Sequence, residues 1–282
     1  MSEQLTTHGI EIDPWTEITL GNAAELAGKS QIAKQNYLRA LATFRKNDDI
    51  KGELTCLYNL GDVANQQSDY LEAERLYRGS LVLSEEVGDL EISSYLFRAM
   101  AKVMGYKGEL DEAEWFCIKS LDISREIGYR VGESNSLYVL AGINFRRGDV
   151  EKAEHLYQES LATARDACDR QAVSNALHDL GLISKHRGDI HKAERLAQEA
   201  LSVRRQIGDR VGESITLRFL ATIAESRGDL SLCRQLFRDS LTILREIGDK
   251  DIEAIILIKL GTLEQDNKKR NSLFAEGVKI KR

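Results

Sequence analysis

The chain has a single proline in 282 residues. Proline breaks helices from within and marks linkers, so its near absence removes the usual cutting points and favours one continuous architecture. Long apolar runs are missing as well. The stretch from Ala254 to Ile258 is uninterrupted but falls far short of the roughly 20 residues that span a bilayer, so no membrane partner is expected. The first residues have neither a basic region nor an apolar one of the secretory kind, and a cytoplasmic protein is expected. Basic charge is not in surplus: 39 Lys and Arg face 45 Asp and Glu, a net charge of −6, the wrong sign for a general nucleic-acid binder. Cysteine is scarce too. Residues 56, 117, 168 and 233 include no pair at zinc-knuckle or redox CxxC spacing, and reduced structural thiols are expected. His178 and His186 stand eight apart rather than one helical turn, so no metal and no other cofactor is expected.

What the chain does have is self-similarity. Shifted by 40 residues, Gly108, Gly148, Gly188 and Gly228 fall into one column, each followed by Glu or Asp; Ser68 and Asp69 fit one period earlier. Leucines 20, 60, 140, 180, 220 and 260, with Met100 between, form a second column, and each precedes a Gly or Ala. Alanines 33, 73, 113, 153 and 193, then Cys233, form a third. Leucines 41, 81, 121, 161, 201 and 241 complete the frame, each preceded by Ala or Ser.

In one unit, Leu137, Leu140, Ala141 and Ile143 recur on one helical face up to Gly148. A second helix begins with Asp149 as its cap and Glu151 in the first turn, where negative charge suits the helix dipole, and carries Ala153, Leu156, Tyr157, Ser160 and Leu161 at helical spacing. Each unit is therefore two antiparallel helices. Small residues such as Ala141, Ala153 and Ser160 let the backbones approach, and one hairpin cannot bury its apolar face alone, so neighbours must stack.

Leu140-Ala141, Gly148-Asp149, Ala153, Tyr157 and Ser160-Leu161, with their equivalents, resemble the tetratricopeptide repeat (TPR). The 40-residue period is similar to that of the Pins and LGN adaptors and of the repeat regions of MalT-type regulators. The resemblance implies an all-α, right-handed solenoid of stacked helix hairpins that binds protein or peptide. Its expected organisation is a flexible leader over 1–13, an array over 14–267 of about six repeats plus a further first helix, and a C-terminal capping helix over 268–282. Asp13-Pro14-Trp15 reads as the start of the first helix, with Asp13 as its cap.

The decapeptide REIGYRVGES at 125–134 returns as RQIGDRVGES at 205–214. A phosphate loop would need a preceding strand and a GxGxxG or GxxxxGK[ST] arrangement, and neither is present. Gly128 and Gly208 are instead expected to close second helices in the left-handed conformation, with a new first helix starting at once. Gly88-Asp89 and Gly248-Asp249 are related joins. Cys117 and Cys233 occupy packing columns and should be buried; Cys168, at a join, should be exposed.

In the resembling fold the first helices line a concave groove. That assignment exposes Tyr95 in one column, Tyr58, Arg98, Tyr138, His178 and Arg218 in a second, Asp62 and Lys102 one turn further, then Phe145 and Lys185, then Tyr106 and Arg146. Aromatic and arginine side chains dominate interface hot spots. The candidate partner-binding residues are Tyr58, Tyr95, Arg98, Lys102, Tyr138, Phe145, Arg146, His178, Lys185 and Arg218. Basic residues gather in the middle repeats, so an acidic partner segment is expected; the alternative is a solvated face with internal partners such as Asp179 and Glu225. Arg125 and Arg205, near the joins on second helices, are taken as charges outside this site. The carboxylate clamp of chaperone-binding TPR domains fits poorly, because Ile18 stands where Lys is wanted and Asp62 where Asn is wanted.

No Ser-His-Asp order, metal spacing or nucleotide loop stands out, so an enzyme is not expected. Three readings stay open: a non-catalytic scaffold or adaptor that holds a partner segment; a regulatory sensor that takes a signalling peptide or small ligand; and a self-assembling scaffold. The atypical C-terminal unit favours a monomer or weak dimer over self-assembly.

Overall fold

The computed structural model describes residues 12–280. The chain divides into two compact units, Met1–Asp149 and Val150–Arg282. The first contains α1 (Pro14–Leu26), α2 (Ser30–Lys46), α3 (Ile50–Gln66), α4 (Tyr70–Val87), α5 (Leu90–Lys107), α6 (Leu110–Glu126) and α7 (Arg130–Arg147). The second contains α8 (Val150–Asp166), α9 (Arg170–His186), α10 (Ile190–Ile207), α11 (Arg210–Ser226), α12 (Leu230–Ile247), α13 (Lys250–Leu263) and α14 (Asn267–Ile280). Within each unit every helix packs on the next, and in the first unit α5 also meets α7. Both units thus have the expected all-α architecture of stacked hairpins. Of the expected leader, residues 1–11 lie outside the described residues; Asp13 caps α1 through Thr16 N at 3.0 Å.

The small-residue columns set the helix spacing. Ala33, Ala73, Ala113, Ala153, Ala193 and Cys233 are all fully buried, as are the Ala and Ser residues that precede the repeating leucines. Glycine goes further. A Cβ on Gly21 would stand 2.3 Å from the Tyr37 ring, and one on Gly61 would stand 2.6 Å from the Tyr77 ring. Only a glycine lets each ring lie across the first helix, and each phenol then reaches the acceptor one residue beyond it: Tyr37 donates to Asn22 Oδ1 and Tyr77 to Asp62 Oδ1, at 2.7 and 2.6 Å. Serines satisfy their hydroxyls where helices are closest. In the first unit Ser94 Oγ meets Ser124 Oγ at 2.6 Å and Ser120 donates to Ser94 O at 2.7 Å; in the second, Ser214 meets Ser240 at 3.0 Å.

The joins explain the decapeptide. Gly128 and Gly208 take φ of 68° and 72°, and the same left-handed region holds Ser68 and Cys168. Asp89, Asp209 and Asp249 accept from Ile92 N, Gly212 N and Ile252 N at 3.0, 2.8 and 3.0 Å. The arginines and glutamate of the motif clasp the two helices: Arg125 Nε and Arg130 Nη1 donate to Glu133 at 2.9 and 2.6 Å, and Arg205 and Arg210 repeat this on Glu213 at 2.8 and 2.6 Å. Glu133 and Glu213 are buried. Arg125 and Arg205 lie on second helices near the joins, as expected, but each also pairs with a buried glutamate across its join, so neither is an inert charge.

Cys56, Cys117 and Cys233 are buried and Cys168 is exposed. Burial pushes the Cys56 and Cys117 thiols up to about 12, which keeps them protonated and slow to react at neutral pH. At the C-terminal end α14 completes a hairpin with α13 in a shifted register. Phe274, three residues before the position of Tyr37 and Tyr77 in the 40-residue frame, takes their place against Gly261, whose added Cβ would lie 2.6 Å from its ring.

Replacing Arg205 with Glu sets a second carboxylate against buried Glu213. Because Arg205 itself is about half exposed, the expected loss is about 2 kcal/mol, a fall in thermal midpoint of roughly 4–8 °C. Lys46→Glu, the same charge change on an exposed residue, should leave the midpoint within about 1 °C. Equal midpoints for the two variants in thermal melts would contradict the clasp.

Candidate functional site

In the first unit, Tyr58 and Asp62 lie one turn apart on α3, and Tyr95, Arg98 and Lys102 follow on α5. The Tyr58 and Tyr95 rings meet edge to face at 5.8 Å. Asp62 is gripped from two sides: Tyr77 of the core donates to Oδ1, and Tyr95 donates to Oδ2. Burial raises the Asp62 carboxyl above the ordinary range, and those two hydrogen bonds oppose the rise. Burial, reinforced by the charge on Asp62, lifts the Tyr95 phenol well above its usual value. Tyr58, Asp62 and Tyr95 wall a cavity of about 350 Å³, completed by Asp89, Glu91, Ile92 and Tyr129 at the starts of α5 and α7.

The cations of this unit have different environments. Arg98 stacks over the Tyr95 ring at 5.4 Å, and its Nη1 is buried with no hydrogen-bond partner among the described residues. Burial holds its guanidinium below the usual range; the Lys102 ammonium is lowered by loss of solvation and then by the like charge of Arg98. Arg146 stacks over Tyr106 at 5.4 Å and donates to Gly105 O at 2.7 Å, so part of its hydrogen-bonding capacity serves the fold. Tyr138 is half-buried and Phe145 is exposed.

In the second unit, His178 and Lys185 stand on α9 and Arg218 on α11. His178 is only 9% exposed; its ring meets Phe219 edge to face at 5.2 Å, and Nδ1 has no hydrogen-bond partner among the described residues. Burial, then the charges of Arg204 and Arg218, push the imidazole down to about 4. Arg218 Nε is likewise buried without a partner, and burial lowers that guanidinium too. Lys185 donates to Thr222 Oγ1 at 2.8 Å and lies 5.9 Å over Phe219. Arg204, absent from the expected set, comes from second helix α10 and reaches between first helices, donating to Gly212 O at 2.8 Å and Asn175 Oδ1 at 3.1 Å. Glu225, weighed above as an internal partner, pairs with Lys259 at 2.8 Å.

Tyr58 and Tyr95 therefore line one cavity, Arg98 stacks on the Tyr95 ring and Lys102 acts on Asp62, while Arg146, Phe145 and Tyr138 belong to α7; in the second unit Lys185 and Arg218 are the cations, with the neutral His178 ring beside Phe219. Asp89, Glu91 and Tyr129 were missed because they come from joins rather than from the first-helix columns.

A histidine that stays neutral when buried destabilises the fold as pH falls. Its folded pKa is depressed, so the unfolded chain takes the proton first: the contribution is intact above about 6.5 and is lost progressively towards 4. Between pH 7 and pH 5 His178 should cost about 2 kcal/mol. Melts of the wild type and His178→Asn at both pH values test this: the variant should lose less of its midpoint on acidification, and identical losses would contradict it.

Comparison with known proteins supports the same architecture. The MalT-like TPR region family matches residues 15–178, more than half of the chain, and the tetratricopeptide repeat family matches residues 172–246. No curated protein matches the sequence. Among solved structures, BtubC (BKLC) from P. vanneervenii aligns with TM-score 0.61 at 20% identity over 84% of this chain and 93% of that one. A Rap protein complexed with competence and sporulation factor aligns with TM-score 0.73 at 14% identity over 99% and 79%. NprR in complex with its cognate peptide NprX aligns with TM-score 0.67 at 14% identity over 99% and 82%. At these identities the structural likeness concerns the fold alone. On the family match and the repeats that carry it, the chain belongs to the MalT-like TPR family.

Proposed function

We propose that the chain is a non-catalytic, cytoplasmic binding protein whose first-helix faces hold a segment of a partner protein or a signalling peptide, and that the segment carries acidic residues. The supporting observation is the cationic group of the second unit. His178 Nδ1 and Arg218 Nε are buried and lack hydrogen-bond partners among the described residues, next to Lys185 and Arg204. Carboxylates that act on these arginines include Asp209, 3.8 Å from Arg204 Nε, and Asp249, which acts on Arg218. The buried Arg218 Nε–H, a donor without an acceptor among the described residues, costs free energy that an incoming carboxylate recovers. The acidic contact is assigned here rather than to Arg98 and Lys102, which already lie beside Asp62.

The regulatory reading shares this chemistry and is favoured by one particular: NprR, with the same fold, is seen in complex with a peptide. A scaffold and a peptide sensor differ in what binding changes, not in what the first helices recognise. A monomer or weak dimer suits either.

Selection of peptides from a random displayed library against the purified chain tests the proposal. Recovered sequences should be enriched in Asp and Glu, and their affinity should fall as salt is raised through about 0.15 M. Lys185→Glu with Arg218→Glu should weaken them at least tenfold, about 1.4 kcal/mol, with helix content retained. Lys46→Glu with Lys51→Glu provides the same charge change on exposed residues. Absence of acidic enrichment, or equal weakening by both pairs, would overturn the reading.

A further inference from the structure

The cavity of the first unit has the opposite electrostatic character from the cationic group of the second. Its charged lining is anionic: Asp62, Asp89 and Glu91, with no lysine or arginine in the wall. Tyr58, Tyr95 and Tyr129 supply the remaining polar and aromatic surface. We infer that this cavity is a subsite for one positively charged side chain, lysine or arginine, of a peptide segment held by the first helices of this unit. The inference rests on the peptide-binding reading above and assigns to this unit a ligand charge opposite to that of the second.

Each part of the wall suits a cation for a stated reason. Tyrosine rings present a negative face that attracts ammonium or guanidinium, more strongly where water is thinned out. Arg98 already shows the interaction on one of these rings, Tyr95, from outside the lining. The Asp62 carboxylate is held in place before any ligand arrives, since Tyr77 and Tyr95 fix both of its oxygens. Asp89 is similarly fixed by its cap on Ile92 N, at 3.0 Å, and Glu91 is exposed in the first turn of α5. A preorganised set of carboxylates costs little to orient on binding. An acidic side chain would meet the like charges of Asp89 and Glu91 in the wall, where Arg98 and Lys102 offset only Asp62 from outside it, and an apolar one would strip water from these carboxylates without replacing its hydrogen bonds. At about 350 Å³ the space suits a single long side chain rather than a folded surface.

The test uses small probes, so it does not depend on finding the partner. Nα-acetyl-arginine amide and Nα-acetyl-lysine amide are titrated into the full chain, with Nα-acetyl-norleucine amide and Nα-acetyl-glutamate amide as comparators, and the tyrosine ring signals are followed by NMR. Ring signals of Tyr58, Tyr95 and Tyr129 should shift and saturate with the two basic probes and stay put with the others. Glu91→Gln, on an exposed side chain, should weaken the arginine titration about threefold. The pair Lys185→Glu and Arg218→Glu should leave it unchanged. No shift with either basic probe, equal shifts with the glutamate or norleucine probe, or an arginine titration indifferent to Glu91→Gln would each overturn the subsite. Those outcomes are distinct from failure of the peptide selection, which would remove the peptide-binding reading and leave the arginine titration standing.

Discussion

Tyr77 lies flat over Gly61 and hands its phenolic hydrogen to Asp62, and much of the first unit can be understood from that arrangement. The ring fills the gap between two helices because nothing larger than a hydrogen projects from position 61. Its hydroxyl then emerges on the far side of the first helix and fixes a carboxylate there. A packing requirement of the core thus places a charge at the edge of the cavity. Tyr37 makes the same contact with Asn22 across Gly21, and its hydroxyl also lies 2.9 Å from Glu25 Oε2, so that phenol sits between a neutral and a carboxylate acceptor. The repeat supplies the scaffold twice, and the side chains around the ring's hydroxyl decide what chemistry it presents.

The same division of labour runs through both units. Columns of Ala, Ser and Gly hold helices at close range, and the Arg-Glu clasps lock successive hairpins at the joins. With those positions committed, the outward columns of the first helices are free to differ. One unit uses that freedom for tyrosines and carboxylates, the other for His178, Lys185 and Arg218.

The hairpins, their joins and the burial of Cys117 and Cys233 were legible because they obey the 40-residue period, and periodic constraints repeat their evidence. The register put Tyr58, Tyr95, Arg98 and Lys102 on first helices, and they do lie on α3 and α5, but it gave no sign that Tyr58 and Tyr95 line a cavity. What escaped was everything that leaves the register. Asp89 was recognisable as a cap, but a cap that also walls a cavity looks the same in the sequence. Arg204 is one of two adjacent arginines near the end of α10, and only the packing shows which is buried. Arg125 and Arg205 looked like surface charge because their partners lie eight residues away, across a turn, rather than at helical spacing. Phe274 sits three residues out of frame because the first helix of the last hairpin ends at Leu263, three positions earlier in the frame than Gln66, His186 and Ser226.

The central claim is that recognition belongs to the first helices. Hydrogen exchange of the chain with and without a selected acidic peptide measures this directly, because bound segments protect the amides they cover or rigidify. Added protection confined to first helices of either unit, such as α3, α5, α9 and α11, is the predicted result. Protection centred on second helices such as α4, α6, α10 and α12 would contradict the account.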